Sequence, residues 1–138
     1  MSTIYQLGRR SLEKKKNHST TPALQGNPQV KTTVMRVRVV TPKKPNSARR
    51  PVVKSLSADE TRITAHIPGI GHNLRRHSNV LIRGGGARDL PGVRYTCCRG
   101  VFDFAGVLHK TRRRSIYGVR WPNNKFKQRR RMYRKVSQ

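Results

Sequence analysis

Alternating apolar and polar positions mark the middle of this 138-residue chain. Residues 34–40 place Met35, Val37 and Val39 on one face and Arg36 and Arg38 on the other, which is the period-two pattern of a strand with a cationic outer face. Further apolar runs bounded by turn residues predict four more strands, at 52–56, 62–67, 80–82 and 93–101. Five short strands favour a mainly β fold, a small antiparallel barrel of the OB kind.

The same alternation predicts which side chains face the barrel interior. The turn between the second and third strands is expected at residues 58–60, and the glycines at 84–86 are expected to close the fourth strand. The residues expected on the inward faces of the third and fifth strands are Ile63, Ala65, Ile67, Val93, Tyr95 and Cys97.

Outside the middle of the chain the apolar pattern is sparse. Thr3 and Gln6 have the spacing of a capping box, and they predict a short helix at the N-terminus. Leu, Ile, Val and Phe supply 20 of the 74 residues at 34–107 but only 10 of the other 64. We therefore expect a short helix and an extended basic arm over 1–33, a barrel over 34–107 and a basic C-terminal tail over 108–138.

Charge then narrows the functional class. The chain has 32 Lys and Arg against 5 Asp and Glu, a formal net charge of +27, so a polyanionic partner is expected. No apolar run approaches the roughly 18–20 residues of a membrane-spanning helix, and no membrane partner is expected. The adjacent Cys97 and Cys98 cannot build a disulfide framework. Because carboxylates are scarce, most acid–base and metal chemistry is excluded. We therefore expect no enzymatic activity, no cofactor and no metal site.

Cationic residues lie in both flanks, in the loops and on the strand face, which is more than one binding groove needs. No long amphipathic helix suited to a DNA major groove is evident, and this distribution favours embedding in folded RNA. Residues 109–138 alone hold 12 Lys and Arg and no acid. The residues expected to bind RNA phosphates are Arg36, Arg38, Arg49, Arg50, Arg112, Arg113, Arg114, Arg129, Arg130 and Arg131.

Two loops carry the most specific chemistry. In residues 41–47 two prolines restrict the backbone, two lysines can neutralise phosphate, and Asn46 and Ser47 can hydrogen-bond a ribose or a base edge. The alternative is a polar turn capped by its own Asn and Ser. The glycines at 84–86 form either a tight turn or a phosphate cradle, and Asp89 in the following turn either caps locally or contacts RNA.

Two other constellations are weak. His72, His77, Cys97 and Cys98 lack the spacing of a structural zinc site, since adjacent cysteines on a strand point to opposite faces. A nucleophilic triad of Ser78, His77 and Asp89 lacks a nucleophile elbow. We expect neither metal binding nor catalysis.

Five motifs occur together along the chain: TPKKPNSA at 41–48, GHNL at 71–74, LIRGG at 81–85, DLPGVRY at 89–95 and SIYGV at 115–119. In this order and spacing they closely resemble the family of the twelfth small-subunit ribosomal protein, in its bacterial and organellar form. The resemblance covers nearly the whole length. It implies an OB-like barrel whose N-terminal arm threads through the small-subunit rRNA, with two loops at the decoding centre that support translational accuracy.

The resemblance also implies roles for individual residues. The position matching His77 faces translation elongation factors, which bind transiently, and other small-subunit ribosomal proteins are expected as neighbours. The residues implied at the decoding centre, beside the rRNA and the mRNA–tRNA minihelix, are Lys43, Lys44, Pro45, Asn46, Ser47, Arg88, Asp89, Leu90 and Pro91.

The compartment and some departures follow from the same resemblance. The AHIP sequence at 65–68 is similar to mitochondrial members, so a mitochondrial ribosome is expected rather than a bacterial or plastid one. Arg88 stands where the family usually has lysine, and Ile70 where it usually has glutamate. The alternative function is a generic RNA chaperone or nucleic-acid packaging protein, which would not need the fixed loops at 41–48 and 89–95.

Overall fold

The computed structural model describes residues 3–9, 18–108 and 110–121. Its regular elements are helix α1 (Ile4–Arg9), a 3-10 helix (Pro22–Leu24) and the strands β1 (Gln29–Val40), β2 (Arg50–Ser57), β3 (Arg62–His66), β4 (Asn79–Gly84) and β5 (Tyr95–Cys98). The first strand begins five residues before the predicted one, and the fifth is shorter than predicted. Within the described part of the chain, no helix is both long and apolar enough to cross a membrane.

The predicted helix at the N-terminus is confirmed together with its cap. The backbone N–H of Thr3 donates to Oε1 of Gln6 at 3.1 Å, and the N–H of Gln6 donates to Oγ1 of Thr3 at 3.3 Å. These reciprocal bonds satisfy two amide groups that the first turn of a helix leaves without partners.

The five strands close into a barrel in the order β1-β2-β3-β5-β4. Every neighbouring pair is antiparallel except β3 and β5, which pair in parallel at Ala65↔Tyr95 and His66↔Thr96. The barrel is therefore mixed, and the prediction of an antiparallel barrel is wrong at this pair. The chain leaves β3, forms β4 against β1, and returns through β5 into the gap between β4 and β3.

A β-bulge in β1 changes the face that its later residues present. The pairing with β2 passes from Val34↔Ser55 directly to Arg36↔Lys54, so Met35 is an extra residue without a partner. Val34 is buried, whereas Met35 and Val39 are 44% and 63% exposed. The predicted placement of Met35 on one face with Val37 is wrong, because the bulge lies between them. Val39 keeps the face of Val37, as predicted, but stays exposed near the end of the strand.

The buried apolar residues form a main cluster inside the barrel and a smaller one that includes Val93. All six residues predicted to face inward are buried, with at most 8% of their surface exposed. Complete burial of a valine or isoleucine side chain contributes about 1.5–3 kcal/mol to the free energy of unfolding. The main cluster comprises Leu24, Val34, Val53, Ile63, Ala65, Ile67, Leu74, Val80, Ile82, Tyr95, Cys97 and Phe104.

The segment before β1 is anchored to the barrel. Leu24 of the 3-10 helix lies in the main cluster and is 4% exposed. The backbone N–H of Ala23 donates to the hydroxyl of Tyr95 at 3.1 Å. These two contacts fix where the N-terminal arm meets the barrel.

Candidate RNA-binding surface

The loops between β1 and β2 (41–49) and between β4 and β5 (85–94) meet at Asp89. Its backbone carbonyl accepts a hydrogen bond from the N–H of Lys43 at 2.7 Å. Its carboxylate Oδ2 lies 2.5 Å from Nε of Arg50 and 3.5 Å from Nδ2 of Asn46. One residue of the second loop thus holds three residues at or beside the first. We call these two segments together the paired loops.

Asp89 and Arg50 form the single ion pair found in the described residues. The side chain of Asp89 is only 14% exposed, while that of Arg50 is 36% exposed. The hydrogen bond from Arg50 is the main cause that holds the pKa of Asp89 below its usual value. Asp89 therefore stays ionised at neutral pH and neutralises part of the charge that Arg50 would offer to a phosphate.

A small apolar cluster supports the second loop from below. Leu90 is 3% exposed and packs with Val52 and Val93, and Val40 and Ala87 lie against them. Leu90 therefore supports the loop with its side chain and directs none of it to solvent. The loop residues implied at the decoding centre that are exposed are Lys43, Lys44, Pro45, Asn46, Ser47, Arg88 and Pro91.

The glycines predicted either as a turn or as a cradle lie where β4 ends. The carbonyl of Gly85 accepts the hydroxyl of Thr96, and a Cβ on Gly86 would lie 1.9 Å from the carbonyl oxygen of Val93. The backbones of the two strand ends therefore approach too closely for any side chain at Gly86. A cavity of about 530 Å³ opens beside these glycines, lined also by residues 18–21 and by Arg88 and Arg94.

The predicted phosphate-binding arginines are spread over the surface. Arg36 and Arg38 are exposed on β1, and Arg49 is exposed at the end of the first loop. Arg112 and Arg113 are exposed near the C-terminal end of the described chain. These five guanidinium groups are accessible to RNA.

The remaining predicted cations differ in their surroundings. The guanidinium of Arg114 stacks on the ring of Trp121 at 3.8 Å and is partly buried. Arg129, Arg130 and Arg131 lie outside the described residues.

His77, predicted to face translation factors, is exposed and sits in a tight turn. Its φ is 68°, and its backbone N–H donates to the carbonyl of Val34 at 2.8 Å. The carbonyl of the next residue, Ser78, accepts the N–H of Val34 at 2.8 Å. The turn is thus held against the middle of β1, where the bulge begins.

Arg99 was not identified from the sequence, yet it joins the segments that follow β3 and β5. Its guanidinium donates to the carbonyls of Pro68 (2.5 Å), Gly71 and Ala105 (3.2 Å), and lies 4.4 Å from the ring centre of Phe104. Arg99 is 5% exposed, and burial lowers its pKa. An arginine inside the predicted fifth strand (93–101) gave no signal that its charge would be satisfied by backbone carbonyls.

The histidines and cysteines considered for metal binding do not lie together as one group in the described segments. No group of three or more His, Cys, Asp or Glu side chains there is placed to hold a metal ion. Cys97 is 1% exposed, and burial raises the pKa of its thiol to about 12. Burial also raises the pKa of Cys98. Both thiols therefore remain protonated at neutral pH.

Comparison with known proteins indicates one family. Residues 16–130 match the family model described as "Ribosomal protein S12/S23". The chain is 54% identical over 138 residues to "Small ribosomal subunit protein uS12m" of Paramecium tetraurelia, and the alignment covers 99% of this chain and 97% of that relative.

Proposed function

The chain belongs to the ribosomal protein S12/S23 family, and from this premise we propose that its paired loops contact rRNA and the codon–anticodon helix at the decoding centre. The protein is a non-enzymatic component of the small ribosomal subunit. The observation that carries the proposal is the junction at Asp89. This junction holds the loop between β1 and β2 beside the loop between β4 and β5, and it leaves the other polar side chains of both loops exposed.

Each exposed residue of the first loop has a role that its chemistry suits. Lys43 and Lys44 are anchors for phosphates, because their ammonium groups are exposed point charges. Pro45 keeps the backbone rigid. Asn46 and Ser47 provide donors and acceptors for a ribose hydroxyl or a minor-groove base edge. A correct codon pair would gain these contacts, whereas a mispaired helix would lose part of them.

The second loop contributes in two ways. Arg88 and Pro91 are exposed and are assigned to RNA contact, while Asp89 positions the first loop and Leu90 secures the second to the barrel. Because the guanidinium of Arg88 is planar and can bind bidentately, its contact with phosphate has stricter geometry than that of a lysine.

The wider surface serves assembly. Arg36, Arg38, Arg49, Arg112 and Arg113 are exposed cations without a carboxylate within 4.0 Å in the described segments. Such groups bind phosphates with an affinity that falls as salt rises. We assign them to anchoring the barrel in small-subunit rRNA.

Two further assignments concern the translation factors and the compartment. His77 is exposed at a fixed turn, which suits a residue that meets a translation elongation factor transiently. The 54% identity to uS12m of Paramecium tetraurelia supports a place in the mitochondrial ribosome, beside other small-subunit ribosomal proteins.

UV cross-linking of assembled small subunits, with sequencing of the attached RNA, tests the proposal. Peptides spanning residues 41–48 and 86–92 should carry the decoding region of mitochondrial small-subunit rRNA. Cross-links to many unrelated RNAs would instead support a generic RNA chaperone and overturn the proposed site.

A further inference from the structure

The register of β1 and β2 places two cations directly opposite each other. Arg36 pairs with Lys54, and both side chains are exposed on the outer face of the barrel. Lys54 in turn pairs with Thr64 of β3, and Arg62 lies two residues before Thr64 on the same face. Like charges directly opposite in a sheet are destabilising, so this arrangement is unfavourable in the protein alone.

No carboxylate of the described chain compensates these cations. The nearest acids in sequence, Asp59 and Glu60, lie in the turn between β2 and β3 and form no ion pair with Arg62. The ion pair at Asp89 belongs to the paired loops. The three cations therefore lack an internal counter-charge where the structure is described.

The bulge opens a cleft beside them. A cavity of about 300 Å³ is lined by Met35, Arg36, Lys54, Arg62 and Thr64, together with two inward-facing neighbours. Met35 is 44% exposed because the bulge turns it outward. The cleft thus combines three cations, one hydroxyl and a polarisable apolar surface. We call it the bulge cleft.

We propose that the bulge cleft binds one phosphodiester of the small-subunit rRNA, with an adjacent base packed on Met35. This inference rests on the proposed function. The phosphate supplies the counter-charge that Arg36, Lys54 and Arg62 lack, the hydroxyl of Thr64 hydrogen-bonds the sugar, and the thioether of Met35 contacts the face of the base.

RNA fits this surface better than an acidic segment of a neighbouring protein. Arg38 follows Arg36 on the outer face of β1, at a rise of about 7 Å for two strand residues. That step is comparable to the separation of adjacent phosphates along one RNA strand. The row of cations runs along β1 towards the paired loops, so one strand of rRNA can follow both.

The like-charge repulsion in the bulge cleft is tested first on the free full-length chain at low ionic strength. Lys54→Gln and Arg62→Gln should each raise the melting temperature by about 2–4 °C, because each removes a like-charge repulsion. Arg83→Gln is the matched control: Arg83 is an exposed strand arginine whose partners are Gln29 and Thr96. It should change the melting temperature little. Equal shifts in all three variants would overturn the cleft, since they would report only the lower net charge.

Inorganic phosphate is the second probe in the same experiment. It should raise the melting temperature of the unaltered chain and of Arg83→Gln more than that of the two cleft variants. An equal response of all four proteins would show that phosphate does not bind at the cleft.

Cross-linking within assembled subunits distinguishes rRNA from free phosphate as the source. A photo-reactive amino acid in place of Met35 should cross-link to one rRNA nucleotide. Cross-links to a neighbouring protein, or none above background, would overturn the assignment to rRNA even if phosphate binds. If residues 41–48 cross-link to rRNA in the same particles and position 35 does not, the cleft alone has failed; if neither does, the proposed function has failed.

Discussion

Asp89 on one loop and Arg50 at the start of β2 are joined by a contact of 2.5 Å between Oδ2 and Nε. The same carboxylate oxygen lies 3.5 Å from Nδ2 of Asn46. In a chain with a net charge of +27, one carboxylate is thus placed where the paired loops meet. This carboxylate connects the two loops through its contacts with Arg50 and Asn46, and we expect it to hold them together.

Asp89→Asn tests this role. The amide keeps the size of the side chain but loses the charge-assisted bond, so the paired loops should separate more often. Amide hydrogen exchange of residues 41–49 should accelerate several-fold, while exchange in β3 should not change.

The same contact predicts a pH dependence, because Arg50 lowers the pKa of Asp89. In the unaltered chain the paired loops are fully held together above the ordinary aspartate pKa, and this stabilisation is lost as pH falls through the lowered pKa. Unchanged hydrogen exchange in the Asp89→Asn variant would show that the backbone hydrogen bond between Lys43 and residue 89 is enough to hold the paired loops together.

Ser47→Ala tests the assignment of the first loop to decoding. Loss of one polar contact of about 0.5–1.5 kcal/mol should change misreading by about two- to tenfold in a translation assay with assembled ribosomes. Ser115→Ala is a suitable control, since Ser115 is also an exposed serine but lies outside the paired loops. Equal misreading by both variants would contradict a role for Ser47 in discrimination.

Arg99→Met tests the buried guanidinium. The substitution keeps part of the apolar stem but leaves the carbonyls of Pro68, Gly71 and Ala105 without their donor, at a cost of about 2–4 kcal/mol in the free energy of unfolding. Chemical denaturation of the full-length chain measures this cost. Arg99→Lys should recover only part of it, because an ammonium cannot reach all three carbonyls with the geometry of a planar guanidinium. An unchanged free energy of unfolding in Arg99→Met would show that the segments containing Pro68, Gly71 and Ala105 are stable without the guanidinium.

His66 gives a pH dependence with a defined sign. Burial, the largest cause, lowers the pKa of His66 from 6.5, and the charge of Arg50 acts in the same direction; the Pro51 backbone bond and Asp89 oppose them. The folded state therefore binds fewer protons than the unfolded state near this pH. The His66 contribution to stability is complete above about pH 6.5 and is lost as pH falls through the lowered pKa.

Denaturant unfolding measured from pH 7.5 to pH 5 checks this expectation. The loss of stability over that range should be smaller in His66→Gln than in the unaltered chain. An identical pH profile in the two proteins would exclude His66 as the group responsible.

The sequence was a reliable guide where alternation runs uninterrupted. Ile63, Ala65 and Ile67 are all buried as predicted, and the hairpin at 58–60 is formed, with the N–H of Ser57 donating to the carbonyl of Thr61 at 3.0 Å. Here local pattern and tertiary burial agree, because no bulge intervenes in β3.

The sequence was a poor guide where one element depends on another. Nothing in residues 34–40 indicates that Met35 is skipped in pairing, since the bulge is defined only by the register of β2. The parallel pairing of β5 with β3 depends on the path of the whole chain. For the same reason the motif around Asp89 indicated an important loop, but not that Leu90 is buried beneath it or that Asp89 holds Arg50.

The parallel pairing of β3 and β5 has a consequence for the synthesis of this protein. Only two residue pairs, Ala65↔Tyr95 and His66↔Thr96, join these strands, and the second of the paired loops leads directly into β5. A nascent chain cannot complete its barrel until that loop has left the translating ribosome. Copies released before residue 96 lack the closing pairs, so their barrels stay open between β3 and β4.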